Sequence, residues 1–179
     1  MVGLASMTDV SVREISWLCV ATLRRKMLKA GDLAPEVELS GPDGQPFRLS
    51  ALLTKGPVVL YFYPKDDTRV CTQEACTFRD DHSEFTGLGA SVVGVSDDDA
   101  ASHQRFAAEH ELPFLLLSDP EGRARGAFGL RSLLGFKARA TFVIDGKGIV
   151  RAVISDRLNA RKHVRGALDA LRDQDLTKS

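Results

Sequence analysis

The chain has 179 residues, enough for one domain of ordinary size whose core needs no covalent staple. Hydrophobic residues make up 44% and charged residues 27%, and 24 Lys and Arg stand against 24 Asp and Glu. That balance excludes the basic field that draws a protein to nucleic acid or an anionic membrane, and no apolar run reaches the about 18 residues of a membrane-spanning helix, so a small-molecule substrate or a protein partner is expected.

Residues 1–26 read as an N-terminal extension, and the domain is expected over 27–179. Val12, Ile15, Cys19 and Leu23 recur at three- and four-residue intervals, the pattern of a short amphipathic helix, with disorder as the alternative. The apolar part, Ile15 to Leu23, follows Asp9 and Glu14, runs into Arg24, Arg25 and Lys26, and has no small-residue cleavage site, so it fits a signal peptide poorly. Cys19 lies in this segment and is not expected to join the chemistry. Three cysteines at uneven spacing do not make the framework of a small secreted protein, and a reducing cytoplasm is the expected compartment.

From Met27 onward, punctuation and periodicity give an order of elements. Pro35, Gly41, Pro42, Gly44 and Pro46 divide the early region into short extended pieces, with a turn at PDG between ELS and FRL, which predicts a small hairpin. Val58 to Phe62, VVLYF, is a continuous β-rich run closed by Pro64, the mark of a strand buried on both faces. Over Thr72 to Leu88, Ala75, Phe78, His82 and Phe85 fall on one helical face. SVVGV, a helix over Ala101 to His110, FLLLS and a short helical piece near Gly122 to Phe128 follow. ATFVID and IVRAVI come next, and a last helix over Ala160 to Leu171 has Val164, Leu168 and Leu171 on one side. Strands alternating with helices and closed by a hairpin and a helix predict an α/β protein, a mixed sheet covered on both faces, compatible with a thioredoxin-like fold.

The segment YPKDDTRVCTQEAC, Tyr63 to Cys76, holds two of the three cysteines. Cys71 falls just after the buried strand and within the first turn of the next helix, where free backbone N–H groups and the helix dipole favour an anion and lower a thiol pKa. Lys65 and Arg69 are cations close by in sequence, Thr68 offers a hydroxyl to the sulfur or to an oxygen beside it, and Pro64 offers an apolar wall. Five residues along a regular helix separate α-carbons by roughly 8.5 Å, whereas a disulfide needs about 4.4–6.8 Å, so a permanent staple is disfavoured and a bond that forms only on unwinding is a switch. The chain has no C-x-x-C dipeptide. A zinc site needs four ligands, and His82, His103, His110 and His163 are scattered, which suits surface or satisfied residues.

PKDDTRVCTQEAC resembles the active-site signature of the peroxiredoxins, P-x-x-x-T-x-x-C, in the version with a second cysteine five residues on that marks the bacterioferritin comigratory protein, or peroxiredoxin Q, subfamily. The resemblance runs from MLKAGDLAPEVEL through the last helix, about residues 27 to 173, and includes RATFVID. It implies that Cys71 is the peroxidatic nucleophile and Cys76 the resolving thiol, that Pro64 and Thr68 shape the pocket, and that Arg139 pairs with the thiolate and the peroxide oxygens. Glu74 matches the pattern too, with a salt bridge on an exposed helix face as the alternative. Where the family commonly has proline and glycine, this chain has Arg69 and Val70, and a positive φ at Val70 would be costly.

The resemblance further implies a thiol peroxidase that reduces hydrogen peroxide or alkyl hydroperoxides through a Cys71 sulfenic acid and a Cys71–Cys76 disulfide. Thioredoxin or a glutaredoxin-like dithiol would recycle it, without metal, haem or flavin, and a monomer is expected. The alternative is a peroxide-sensing switch that acts through a partner. A thiol–disulfide oxidoreductase working on protein substrates is disfavoured by the missing C-x-x-C.

Overall fold

A computed structural model of the protein describes residues 26–130 and 137–176. The expected N-terminal helix, Cys19 and nearly all of the extension lie outside the described residues. Seven strands form one sheet in the order β2-β1-β5-β4-β3-β6-β7, where β1 is Glu38–Ser40, β2 Pro46–Arg48, β3 Val58–Phe62, β4 Ser91–Ser96, β5 Leu115–Ser118, β6 Ala140–Ile144 and β7 Val150–Ile154. Strands β3, β4 and β5 run parallel to one another, while β1 joins β5, and β6 joins β3 and β7, antiparallel. The helices are α1 (Leu49–Leu53), α2 (Arg69–Asp80), α3 (His82–Gly87), α4 (Ala100–Glu109), α5 (Arg123–Ala127) and α6 (Ala160–Leu176).

Side chains on a strand alternate between faces, and β3 divides the core accordingly. Val58, Leu60 and Phe62 pack with Leu49 and Leu52 of α1 and with Ala124 and Phe128 at α5. Val59, Tyr61 and the following Tyr63 pack with Cys71, Ala75 and Phe78 of α2, Phe85 of α3, Phe106 of α4, and Val164 and Leu168 of α6. All five β3 residues are buried, as a strand covered on both faces requires. Gly94 of β4 lies opposite Tyr61, and a Cβ there would come within 2.7 Å of that ring and of Leu116, so only glycine lets the ring lie across the strand.

The early hairpin forms with Leu39 opposite Phe47, its turn closed by Gly41 N–H to the Gln45 carbonyl at 2.8 Å and by Gly44 at a φ of 76°. Its second strand starts one residue earlier than expected, at Pro46, and leads into α1, a helix the periodicity did not reveal because five residues span little more than one turn. The predicted helix over Thr72 to Leu88 is two helices. The first begins earlier, at Arg69, and the chain bends at Asp81, the C-cap of α2 and the N-cap of α3. Two adjacent aspartates, Asp80 and Asp81, stand where the helix stops, as befits residues whose short carboxylates favour caps over helix interiors. Phe78 and Phe85 still meet beneath the break, with ring centroids 5.6 Å apart. No helix among the described residues is long and apolar enough to cross a membrane.

Candidate active site

Helix α2 follows β3 after a six-residue connection, Tyr63 to Thr68, that climbs over the end of the sheet. The first helical hydrogen bond runs from Thr72 N–H to the Thr68 carbonyl at 2.8 Å, so the amides of Arg69, Val70 and Cys71 have no partner within the helix. Cys71 sits in that first turn with 2% of its surface exposed. The guanidinium of Arg139, which precedes the strand next to β3, reaches it on the same face of the sheet, Nη2 donating to Sγ at 3.0 Å. Arg139 comes one residue before β6 and keeps the phase of the strand: Ala140, Phe142 and Ile144 join the α1/α5 core, while Val143 joins the α2/α6 core on the side of Arg139 and Thr141.

The other terminal nitrogen of Arg139, Nη1, donates to Oε2 of Glu74, one helical turn after Cys71. Glu74 is 0% exposed, which overturns the exposed-face alternative: an α2 residue three positions after Cys71 shares its inward face. Burial lifts the Glu74 carboxyl to about 7 against the opposing pull of Arg139. Next to Glu74 lies His163 of α6, also fully buried, which is 2.8 Å from the Thr141 hydroxyl through Nδ1 and 2.8 Å from the Asp156 carbonyl through Nε2. Burial pushes the His163 imidazole below its ordinary value, and the Arg139 charge adds to that effect.

The connection before α2 is anchored by residues the sequence reading did not single out. Asp66 is buried and accepts from the Tyr63 hydroxyl at 2.7 Å and from Ser102 Oγ at 2.8 Å, with His103 Nδ1 at 2.9 Å. Burial alone would raise the Asp66 carboxyl, but the bonds from His103, Tyr63 and Ser102 together outweigh it and hold it below its ordinary value. Arg125 of α5 donates to the Tyr63 carbonyl at 2.9 Å and to the Ala138 carbonyl at 2.7 Å, so one buried guanidinium ties the segment leading to Cys71 to the segment carrying Arg139. His103 shows a sequence signal in retrospect, since it lies three residues before Phe106 on one helical face. Arg125 shows none, because its partners are backbone carbonyls distant in the chain.

The remaining predicted residues fall as follows. Pro64 is half-buried at the end of β3. Thr68 is the exposed N-cap residue, and its hydroxyl donates to the Lys65 carbonyl at 3.2 Å rather than to the sulfur. The positive φ of the connection falls on Asp67, at 55°, a residue type that tolerates it. Val70 is helical, so the strain expected there does not arise, and Arg69 takes the first helical position, where a proline is well accommodated. Lys65 and Arg69 are exposed. Cys76 is half-buried, about 140° around the helix from Cys71, and both thiols are free.

An inward thiol paired with a buried guanidinium, set at the helix end next to a thioredoxin-like mixed sheet, defines the class as a thioredoxin-fold thiol redox protein. The AhpC/TSA family model matches residues 30–153. The structure superposes on peroxidoxin BcpB from Mycobacterium tuberculosis with a TM-score of 0.77 and 43% identity, covering 82% of this chain and 97% of that one. The bacterioferritin comigratory protein of Xanthomonas campestris, studied for its alkyl peroxide reduction activity, gives a TM-score of 0.69 at 30% identity over 77% of this chain and 91% of its own. The chloroplastic peroxiredoxin Q of Triticum aestivum is 43% identical over 136 residues, 75% of this chain, and the chain spans 62% of that relative's length. The chain belongs to the AhpC/TSA family, in its peroxiredoxin Q branch.

Proposed function

We propose that the protein is a thiol peroxidase that uses Cys71 as its nucleophile. The observation that carries this reading is the 3.0 Å contact from Arg139 Nη2 to Cys71 Sγ at the first turn of α2, where a fixed cation and free amides favour a thiolate. The thiolate attacks the terminal oxygen of hydrogen peroxide or an alkyl hydroperoxide. The O–O bond breaks, its electron pair leaves with the distal oxygen, and that oxygen takes a proton to depart as water or an alcohol. Cys71 is left as a sulfenic acid. Negative charge moves from sulfur to the departing oxygen in this step, and Arg139 is the donor within reach of it.

Cys76 then attacks the sulfenic sulfur, water leaves, and a Cys71–Cys76 disulfide forms. Exchange with thioredoxin or a glutaredoxin-like dithiol returns both thiols. Pro64 and Thr68 border the approach to the sulfur. Both thiols lie on one helix, which supports a cycle completed within a monomer, and the cysteine usage supports a reducing cytoplasm as its compartment. The alkyl peroxide reduction studied in the Xanthomonas relative supports the organic hydroperoxide as a substrate class.

The test is peroxide consumption coupled to thioredoxin, thioredoxin reductase and NADPH, run on the wild type and on Cys71→Ser. Sustained turnover that vanishes in the variant is expected. A single oxidation event without turnover would instead favour the sensing switch, and retained activity in Cys71→Ser would move the nucleophile elsewhere.

A further inference from the structure

Behind the contact between Cys71 and Arg139 lies a buried pair that the steps above do not use. Glu74 engages Arg139 through Oε2, while its Oε1 is buried without a hydrogen-bond partner. The group facing Oε1 is His163 Nδ1, 3.6 Å away. The state of that imidazole follows from its neighbours. Nε2 lies 2.8 Å from the Asp156 carbonyl, which can only accept, so Nε2 carries a proton; burial favours the neutral imidazole, whose single Nδ1 lone pair faces both the Thr141 hydroxyl at 2.8 Å and Glu74 Oε1. A carboxylate at Oε1 would face that lone pair with no donor. A proton on Oε1 would face an acceptor, and a shortening of about 0.5 Å would make the contact a hydrogen bond.

Charge gives a second, independent reason. One guanidinium serves both the Cys71 sulfur and the Glu74 carboxyl. A thiolate, a carboxylate and a guanidinium leave one uncompensated negative charge among buried groups, whereas a thiolate, a carboxylic acid and a guanidinium are neutral together. Uncompensated buried charge is the costlier arrangement.

We propose that Glu74 and His163 form a proton-holding pair that positions Arg139 for the peroxidase reaction: when Cys71 is a thiolate, Glu74 is a carboxylic acid with its proton on Oε1 facing His163 Nδ1, and the guanidinium charge is left to the sulfur. The exchange balances, since Cys71–SH with Glu74–COO⁻ and Cys71–S⁻ with Glu74–COOH carry the same protons and the same charge. The lift of Glu74 to about 7 by burial agrees with it. His163 is a positioning residue that acts through Glu74 and Arg139. The other titratable groups around the pair are Tyr61 of β3, whose buried hydroxyl is pushed well up, chiefly by burial, and Asp156 with Lys162, an ion pair at 3.3 Å at the start of α6. None of these is within hydrogen-bond distance of Oε1.

The inference rests on Cys71 as the nucleophile. The experiment is the pH profile of Cys71 oxidation by hydrogen peroxide, followed by stopped flow in the wild type, His163→Gln and His163→Asn. The longer Gln amide reaches the Asp156 carbonyl but leaves the Nδ1 position without an acceptor, whereas Asn places Oδ1 near the Nδ1 position. His163→Gln is expected to move the acid limb of the profile about one unit toward alkaline pH, slowing oxidation about tenfold there and converging with the wild type at high pH. His163→Asn is expected to stay within about twofold of the wild type. Equal losses in both variants, or no shift in His163→Gln, would overturn the proposal.

Infrared spectra of the wild type, taken where Cys71 is a thiolate and assigned with Glu74→Gln, give a second readout that does not depend on the His163 variants. A protonated-carboxyl band that accompanies the thiolate, and that disappears in Glu74→Gln, is expected; a carboxylate band in its place would overturn the proposal. If Cys71→Ser keeps its peroxidase activity, the proposed function itself falls. If activity depends on Cys71 but these readouts fail, only the proton-holding pair falls.

Discussion

Treating the reduced protein with a stoichiometric amount of hydrogen peroxide is expected to unwind helix α2 between Thr72 and Phe78. Cys71 and Cys76 lie five residues apart on one helix, which separates their α-carbons by roughly 8.5 Å and turns their side chains about 140° apart. A disulfide allows about 4.4–6.8 Å. No side-chain rotation closes that gap, so backbone must move. The segment that moves carries Phe78, which is 0% exposed and stacks on Tyr61 with centroids 4.7 Å apart. Withdrawing one buried phenylalanine costs about 1.5–3 kcal/mol, and each helical hydrogen bond opened costs about 1 kcal/mol. The oxidised form is therefore expected to be several kcal/mol less stable locally although it is cross-linked, and its strained disulfide should be correspondingly easy to reduce. Hydrogen-exchange mass spectrometry on both redox forms reads this directly: amides from Thr72 to Phe78 should exchange faster after oxidation and recover after reduction. Equal protection in the two forms would refute the reasoning.

Further outcomes bear on the neighbouring residues. Arg139→Ala should slow Cys71 oxidation about 10²–10³-fold, the usual loss when one preorganised donor is removed from a developing anion, and an unchanged stopped-flow rate would leave Arg139 a structural residue. Cys76→Ser should form the sulfenic acid as fast as the wild type but then gain a second oxygen under excess peroxide, visible as intact mass, because no resolving thiol intercepts it. Glu74, with its carboxyl lifted from 4.5 to about 7, keeps a proton in the folded state that the unfolded chain releases, so stability falls as pH rises through that window, by about 3 kcal/mol in all. In a Cys71→Ser background, urea unfolding at pH 5 and pH 8 should show that loss, and adding Glu74→Gln should remove most of it; identical pH slopes in the two proteins would place Glu74 outside the buried, protonated state.

The sequence by itself determined the elements that depend on local pattern. VVLYF, β-rich and closed by Pro64, read as a strand covered on both faces, RATFVID carried its arginine to the start of another, and the five-residue spacing of Cys71 and Cys76 on one helix was readable from helical geometry alone. The tertiary structure decided what depends on which faces meet. Glu74 reads equally as a pattern residue or a surface ion-pair partner until α2 is seen with its Cys71 face turned to Arg139, and whether Val70 is strained stays open until the positive φ is found at Asp67. Asp66, Arg125 and His163 stay hard to read in one dimension because most of their partners stand from seven to 62 residues away, several of them backbone carbonyls that leave no mark in composition or periodicity. Short-range periodicity records which way a side chain points along its own element; the sheet that brings β3, β6, α2 and α6 together determines what it points at.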